Sequence, residues 1–357
     1  MSTPRKGAIV GFGFISESGH LPAYRSRGDF DIVAVADTCA ARREAAARAI
    51  PGVRIYEDHA ALLAAEASHL DFVDVSTPPY VHAQVARAAL ARGLHVLCEK
   101  PLATSTAEAR GMLDDARRAG RVIFPAHNYK HAPVIRAVRK VLDEGTIGDV
   151  HQVTLQTFRS THARGVPEWN ENWRRERRYS GGGIAMDHGS HTFYLAFEWM
   201  RALPVAITAK MATTKGFDTE DTFSATVTFP TGIANVHLTW TAGVRRVIYT
   251  LHGDRGAIRV EDDAVEVSVM ESPDRPAKTK WVTREESIPS HWMDASHSAW
   301  FATMLGEFGG AIDRRDVTGM HAEEALRCVE LIEAAYDSAA DGAREVTLGR
   351  YRAREVA

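Results

Sequence analysis

Short apolar runs alternate with amphipathic segments over residues 1–125, and this alternation constrains the fold more than any other feature. Each apolar run has the length of one buried strand, and each intervening segment has the length of a helix. Such alternation predicts βαβ units, and right-handed crossovers then produce a parallel sheet with helices on both faces. Residues 1–125 are therefore predicted to form a doubly wound α/β domain. The expected strands lie at 8–10, 32–36, 72–75, 95–98 and 122–124, and the expected helices at 40–50, 58–65, 80–92 and 105–119.

The pattern changes after Pro125, where longer strand-like runs are joined by tight turns such as Pro230-Thr231-Gly232. Residues 126–357 are therefore predicted to form a second, α+β domain with a large, mostly antiparallel, open-faced sheet. The expected strands lie at 150–158, 205–212, 222–229, 233–241, 247–252, 257–260 and 265–270, and the expected helices at 132–143, 293–312 and 321–340.

Composition excludes several classes of protein. The chain has 357 residues, a length typical of two domains, and its net charge of −3 does not favour nucleic acid or an anionic membrane as a partner. Apolar runs are all shorter than a membrane span, and the N-terminal residues lack a secretory signal. The three cysteines form no metal-binding or disulfide pattern. A cytoplasmic location is expected.

A glycine-rich turn follows the first strand directly and begins a helix, in the sequence Gly11-Phe12-Gly13-Phe14-Ile15-Ser16. In a dinucleotide-binding turn, the first glycine permits the tight bend and the second lets the backbone approach a pyrophosphate. Ser16 occupies the position where glycine or alanine is usual, so the fingerprint is imperfect. The surrounding βαβ pattern nevertheless favours dinucleotide binding over a merely structural turn.

Asp37 ends the second strand, at the distance where a carboxylate binds the adenosine ribose hydroxyls. A carboxylate there repels a 2′-phosphate, so NAD is expected as the cofactor in preference to NADP. Arg42 and Arg43 lie further along the next helix and are expected to face solvent.

Two later strand ends border the same ligand site, because ligands of doubly wound sheets lie beyond the carboxyl ends of the strands. Lys100 is notable there, since it lies between an acid and a proline at the end of a buried strand. The residues expected to bind the cofactor are Gly11, Gly13, Phe14, Ile15, Asp37, Ser76, Thr77, Pro78, His82, Glu99 and Lys100.

The sequence resembles the Gfo/Idh/MocA family of nicotinamide-dependent sugar and cyclitol oxidoreductases. The resemblance rests on the Gly11–Ser16 turn, Ser76-Thr77-Pro78, Glu99-Lys100-Pro101 and a run from Gly181 to His191 that reads GGGIAMDHGSH. It implies a Rossmann domain followed by an α+β domain. It also implies that Lys100 hydrogen-bonds the reacting hydroxyl, that Asp187 binds a substrate hydroxyl and that His191 is the general acid/base.

Elementary chemistry agrees with these implied roles. Alcohol oxidation removes the hydroxyl proton, which an imidazole can accept near neutral pH, and a nearby ammonium stabilises the developing alkoxide. If a helix follows Gly183, Asp187 and His191 share one face, whereas His188 points away, so no metal is expected. The alternative interpretation is a structural Asp–His pair in the core. Tyr194 stands where the family often has a second aspartate, a departure that bears on substrate recognition.

Further candidate substrate contacts are polar and aromatic. Asn128 and Tyr129 can both donate and accept hydrogen bonds to a polyhydroxyl ligand, although an ordinary interdomain connection explains Asn128 and the nearby Lys130 equally well. Trp173 and Arg174 lie in an arginine-rich stretch that suits an acidic or phosphorylated sugar, a solvated surface or a subunit contact. The expected substrate-binding residues are Lys100, Asn128, Tyr129, Trp173, Arg174, Asp187 and His191.

The main functional hypothesis is an NAD-dependent dehydrogenase that oxidises a secondary hydroxyl of a sugar, sugar acid or cyclitol. The first alternative is a glycoside hydrolase of the same fold, which uses tightly held NAD for transient oxidation and elimination. A catalytically silent NAD-binding sensor is a third hypothesis, disfavoured because Lys100, Asp187 and His191 are all present. The resemblance also implies a homodimer or homotetramer formed through the second-domain sheet.

Overall fold

The structure is a computed structural model that describes residues 3–214, 216–272, 280–292 and 294–349. The chain separates into two compact units, neither of which is continuous in sequence. The first comprises Met1–Asn128, Ala163–Gly181 and Ala295–Val329, and the second comprises Tyr129–His162, Gly182–Asp294 and Glu330–Ala357, in each case as far as the chain is described. The sequence-based limits of 1–125 and 126–357 treat both domains as continuous segments, so they differ from these units at 126–128, 163–181 and 295–329.

The first unit contains a parallel sheet, as predicted. Its strands are β1 (Arg5–Val10), β2 (Phe30–Ala36), β3 (Arg54–Tyr56), β4 (Phe72–Val75), β5 (His95–Cys98) and β6 (Ile123–Pro125). They are ordered β3-β2-β1-β4-β5-β6, and every neighbouring pair is parallel. The carboxyl ends of β1, β2, β4 and β5 therefore carry the loops that the sequence singled out. Strand β3 has no distinct apolar run, which is why the pattern did not indicate it.

Ten α-helices lie in the described residues. They are α1 (Leu21–Arg27), α2 (Ala40–Ala49), α3 (His59–Glu66), α4 (His82–Leu90), α5 (Thr106–Ala119), α6 (Pro133–Asp143), α7 (Arg177–Ser180), α8 (Ile184–Met200), α9 (Ser298–Arg314) and α10 (Met320–Ala340). The expected capping residue of α5 is in place, since the Ser105 hydroxyl accepts the Glu108 backbone N–H at 3.3 Å. Residue 293, where the sequence placed the start of the penultimate helix, lies outside the described residues. None of these helices combines the length and the apolar character needed to cross a membrane.

Helix α9 belongs to the core of the first unit, although it comes late in the chain. Its Phe301 and Phe308 pack with Phe30, Phe72 and other residues of the parallel sheet. The rings of Phe30 and Phe308 stack with centroids 6.0 Å apart. Burial of these aromatic surfaces stabilises the packing of α9, which is distant in sequence, against the first unit.

The second unit contains a nine-stranded sheet that is antiparallel except where β7 pairs with β10. Its order is β14-β13-β12-β11-β7-β10-β9-β8-β15. The strands are β7 (Val150–Phe158), β8 (Ala206–Ala212), β9 (Thr222–Phe229), β10 (Gly232–Thr239), β11 (Arg246–Gly253), β12 (Gly256–Glu261), β13 (Ala264–Met270), β14 (Trp281–Ser287) and β15 (Val346–Thr347). Strand β14 is exposed along its whole length and rich in charge, so it lacks the apolar alternation that revealed the others.

Helix α8 covers one face of this sheet, where it contacts β7, β9 and β10. The opposite face of β9 and β10 carries polar side chains joined across the strands. Ser224 bonds to His237 at 3.1 Å and Thr226 donates to Asn235 at 3.0 Å. Assembly of subunits through this face stays a prediction.

Candidate functional site

The turn after β1 has the geometry expected for a dinucleotide-binding turn. Gly11 has a φ of +90°, and a Cβ atom there would lie 2.8 Å from the backbone nitrogen of Thr77. A Cβ atom on Gly13 would meet no other atom within 4 Å. Glycine is therefore required at 11 by backbone strain and close approach, whereas Gly13 keeps one side of the turn accessible. These residues fit a bound dinucleotide.

Alanine substitutions at the two glycines are expected to separate stability from cofactor binding. Gly11→Ala should destabilise the protein by about 1–3 kcal/mol, because it forces an L side chain into the left-handed region against Thr77. Gly13→Ala should leave stability unchanged and weaken NAD binding, since its methyl group occupies only the accessible side. Urea unfolding and NAD titration check both variants. Equal stabilities for the two would contradict this interpretation.

Asp37 is held at the end of β2 by the backbone of two neighbouring turns. Its carboxylate accepts the N–H groups of Phe12 at 2.7 Å and Cys39 at 2.8 Å. Arg42, which the sequence placed in solvent, is only 6% exposed and donates to the Phe12 carbonyl at 2.8 Å. The buried Arg42 guanidinium thus stabilises the glycine-rich turn through this hydrogen bond. The position of Arg42 on its helix did not reveal that role.

His82 connects the two loops that follow β4 and β5. Its Nε2 atom lies 2.8 Å from the Thr77 carbonyl oxygen, and its Nδ1 atom lies 2.9 Å from that of Pro101. Burial lowers the pKa of His82, and the ring is 1% exposed. In the structure His82 therefore fixes the loops that carry Thr77 and Lys100.

A buried ionic cluster lies beneath the same edge of the sheet. His20 Nδ1 is 2.7 Å from Asp74 Oδ2, and His20 Nε2 is 3.0 Å from Glu99 Oε1. The hydroxyls of Tyr24 and Ser76 also donate to Asp74, at 2.9 and 2.7 Å. Burial lowers the pKa of His20, but the two carboxylates outweigh it and raise the pKa to about 10. His20 is therefore a cation that neutralises two carboxylates, and Glu99 in turn accepts the Lys100 backbone N–H at 3.1 Å.

Sequence reasoning missed this cluster, although one signal was available. Asp74 interrupts the apolar strand β4 and is fully buried. A carboxylate in such a strand requires a partner.

Trp173 and Arg174 lie in the first unit rather than with His191. The Arg174 guanidinium lies 4.1 Å from the centroid of the Trp173 ring, and it donates to the Ala163 carbonyl at 3.0 Å. Their segment, 163–181, contacts residues that follow β2 and residues that follow β4. Glu168 contacts Cys39 and Arg42, and the Tyr179 ring packs against that of Tyr80 with centroids 5.4 Å apart.

Four other residues that the sequence predicts as cofactor or substrate contacts are Phe14, Ile15, Asn128 and Tyr129. Phe14 is 44% exposed on the glycine-rich turn, and Ile15 packs against the apolar core of the first unit. Asn128 is buried at the last residue of the first segment, and Tyr129 begins the second unit.

In the second unit, a glutamate that is distant in sequence binds the backbone where the glycine run meets α8. Glu220 accepts the backbone N–H groups of Gly183 at 2.9 Å and Ala185 at 3.0 Å, as well as the Tyr336 hydroxyl at 2.8 Å. Its carboxylate lies at the N-terminus of α8, where the helix dipole favours negative charge. Burial nevertheless raises the pKa of Glu220. No local motif indicated this residue.

Helix α8 carries Asp187 and His191 one turn apart, as the spacing predicted. The Asp187 carboxylate lies 3.2 Å from His188 Nδ1, so the two adjacent residues form a pair. The centroids of the His188 and His191 rings are 6.1 Å apart, and the ring planes are inclined at 71°. In the described part of the chain, no three histidine, cysteine or acidic side chains are grouped in a way that could hold a metal.

The His191 ring is held on two sides. Its Nδ1 atom lies 2.7 Å from the Tyr194 hydroxyl, and the ring stacks on Tyr129 with centroids 3.9 Å apart. The Tyr194 oxygen also accepts the Tyr129 backbone N–H at 3.2 Å. Because a phenol has one donor and two acceptor sites, Tyr194 can donate to the imidazole or accept from it. Tyr194 therefore orients His191 without adding a negative charge.

Tyr194→Phe is expected to lower kcat/KM by about tenfold, because the free energy of one lost hydrogen bond corresponds to a rate change of about that size. Tyr194→Asp should instead move the acidic limb of the pH–rate profile to higher pH, because a carboxylate beside the imidazole favours its protonated form. Steady-state rates measured from pH 5 to 10 on the two variants check this. Wild-type rates and profiles in both would contradict an orienting role for Tyr194.

Two family models match the chain. The model described as an oxidoreductase family with an NAD-binding Rossmann fold matches residues 5–127, and that of the Gfo/Idh/MocA C-terminal domain matches residues 135–259. The chain belongs to the Gfo/Idh/MocA family. The resemblance and the fold class inferred from sequence are thereby confirmed, and the protein is an oxidoreductase of an NAD-binding family.

Related Gfo/Idh/MocA proteins include named sugar dehydrogenases. D-glucoside 3-dehydrogenase of Escherichia coli is 28% identical over 65% of this chain and 68% of its own length. D-apiose dehydrogenase of Paraburkholderia graminis is 39% identical over 40% of this chain and 37% of its own length. The crystal structure of an inositol dehydrogenase homologue from Azotobacter vinelandii, complexed with NAD+, superposes with a TM-score of 0.81. It is 21% identical, and the match covers 97% of this chain and 98% of that one, which shows the shared fold.

Proposed function

We propose that this protein is an NAD-dependent dehydrogenase that oxidises a secondary hydroxyl of a sugar, sugar acid or cyclitol. The observation that carries the proposal is the arrangement on α8, where His191 lies one turn from Asp187 and is oriented by Tyr194 and Tyr129. A fixed imidazole beside a hydrogen-bonding carboxylate suits removal of a proton from a polyhydroxyl compound. The names of the sugar dehydrogenase relatives support the same substrate class.

In this proposal His191 accepts the hydroxyl proton during oxidation and returns it during reduction. Asp187 binds a hydroxyl of the substrate, and Lys100 donates a hydrogen bond to the reacting oxygen, where its charge stabilises the alkoxide. Asn128, Tyr129, Trp173 and Arg174 complete the proposed substrate contacts. The loops after β1, β2, β4 and β5 hold the cofactor, with Asp37 favouring NAD over NADP. Bound NAD supplies the electron acceptor for the reaction.

The test is nicotinamide absorbance of the purified protein with NAD and a panel of sugars, uronic acids, sugar phosphates and inositols. Stoichiometric NADH with one class would support the dehydrogenase and identify its substrates. Cleavage of an aryl glycoside without net NADH, by protein that co-purifies with NAD, would replace it with the glycoside hydrolase. Binding of NAD without either reaction across the panel would count against both enzymes and favour the silent sensor.

Lys100→Met is expected to lower kcat by about 10²–10³-fold, because it removes one charged donor from the developing alkoxide. Methionine has a similar length, so folding should change little. Lys140→Met, at a side chain 77% exposed on α6, is the matched control and should keep wild-type activity. Turnover within threefold of wild type in Lys100→Met would remove Lys100 from the proposed mechanism.

A further inference from the structure

The first turn of α8 is bound by Glu220, which lies two positions before β9. Its carboxylate accepts the Gly183 N–H at 2.9 Å and the Ala185 N–H at 3.0 Å. Its backbone carbonyl accepts the Ile184 N–H at 3.1 Å. Glu220 therefore satisfies three of the four N–H groups that an α-helix leaves without an intrahelical partner. The residue is only 4% exposed, so these hydrogen bonds form away from bulk water.

Two glycines before α8 permit this contact. A Cβ atom on Gly183 would lie 1.8 Å from the Glu220 carbonyl oxygen, and one on Gly182 would lie 1.9 Å from the Tyr336 hydroxyl oxygen. The Tyr336 hydroxyl in turn donates to the Glu220 carboxylate at 2.8 Å. A side chain at either glycine would therefore displace Glu220 or Tyr336, which gives part of the glycine run a structural purpose.

Glu220 is itself fixed to the sheet through the next residue. The Asp221 N–H donates to the carbonyl of Ala212, the last residue of β8, at 3.0 Å. The Asp221 carbonyl accepts the N–H of Trp240, which directly follows β10, at 2.8 Å. The support of α8 thus starts from the sheet, and a rigid element holds a site more precisely than a loop does.

Asp187 is one hydrogen bond away from this support. Its backbone N–H donates to the Gly183 carbonyl at 3.0 Å, and the Gly183 N–H is the group that binds Glu220. A movement of Gly183 therefore displaces Asp187 with the first turn of α8. His191 lies one turn further along, where the Tyr194 hydroxyl holds its ring separately. Loss of Glu220 should thus displace Asp187 more than His191.

We propose that Glu220 and Tyr336 are positioning residues for the substrate, because they fix the place of Asp187 and, through it, the binding of a substrate hydroxyl. This inference rests on the proposed function, which assigns that hydroxyl to Asp187. Neither side chain contacts the reacting atoms in this role. Removing either one therefore weakens binding of the sugar or cyclitol and leaves proton transfer to His191 intact.

The experiment is steady-state kinetics of the full chain with NAD and the substrate found in the panel. Glu220→Ala should raise KM for that substrate by about tenfold or more and change kcat by less than about threefold. Glu220→Gln keeps one acceptor oxygen and should raise KM less, and Tyr336→Phe, which keeps the carboxylate, should raise it by about threefold. These two variants carry the test if Glu220→Ala does not fold. A merely structural role would instead reduce the folded fraction, which lowers the apparent kcat and leaves KM unchanged.

Hydrogen exchange of backbone amides is a second readout that needs no substrate. The amides of residues 183–185 should exchange faster in Glu220→Ala and Glu220→Gln than in wild type, whereas those of β10 should not change. Glu285→Ala, at an exposed glutamate of β14 in the same unit, is the matched control. It should leave KM, kcat and exchange at their wild-type values.

Separate outcomes contradict the inference and the proposed function. An unchanged substrate KM in the Glu220 variants, or a loss confined to kcat, would overturn the inference and retain the dehydrogenase. Unchanged exchange at residues 183–185 would overturn it independently of activity, because Glu220 would then not hold that turn. A wild-type protein that forms no NADH with any member of the panel would reject the proposed function and the inference with it.

Discussion

Replacement of His191 by asparagine is expected to lower kcat/KM by about 10²–10⁴-fold, the usual contribution of a general acid/base. Asparagine preserves a polar group near the Tyr194 hydroxyl but cannot exchange a proton near neutral pH. The structure provides the physical reason, since Tyr194 and Tyr129 hold the ring in one orientation. Initial rates of NADH formation, with the substrate found in the panel, measure the effect.

The matched control is His151→Asn, the same substitution at an exposed histidine of β7 in the same unit. It should keep wild-type activity. NAD affinity and thermal unfolding of His191→Asn should also remain near wild type, which separates a catalytic loss from misfolding. A His191→Asn enzyme that retains more than a tenth of wild-type activity would exclude His191 as the acid/base.

Replacement of His20 by asparagine is expected to reduce the free energy of unfolding by about 3–5 kcal/mol, because it leaves two buried carboxylates without their cation. Adding Asp74→Asn should recover part of this loss, since the second change removes one of those charges. Urea unfolding of the cofactor-free protein measures the variants. His69→Asn, at an exposed histidine of the same unit, is the control.

The pH dependence of this effect has a definite sign. The pKa of His20 rises from its ordinary value of 6.5 to about 10 in the folded chain. Its stabilising contribution is therefore complete below pH 6.5 and decreases as pH rises towards 10. The stability difference between wild type and His20→Asn should shrink over that interval. A constant difference would mean that the His20 ring is not charged in the folded state.

Much of the first unit could be predicted because its interactions are local in sequence. Apolar runs marked five of the six parallel strands, and Ser105 marked the start of α5. The glycine-rich turn and Asp37 were recognisable because a tight bend and a ribose-binding carboxylate require particular residues at particular spacings. The spacing of Asp187 and His191 was likewise sufficient to place both on one face of α8.

Other features depend on contacts between residues that are distant in sequence. Arg42 was expected in solvent because a helix position alone does not show which neighbour covers it. Glu220 stabilises the start of α8 from a different strand region, and no motif connects the two. The segment 163–181 joins the first unit through Glu168 and Tyr179, so Trp173 and Arg174 belong to a different unit from His191.

The sequence by itself therefore determined the fold class, the family and the residue types available for chemistry, because periodicity and short motifs encode local geometry. Only the tertiary structure decided which partners tune those residues. It placed the Tyr194 hydroxyl against the ring of His191, and His20 between Asp74 and Glu99. The physical reason is that pairing and burial of charged groups depend on the packing of separate elements, which no local pattern specifies.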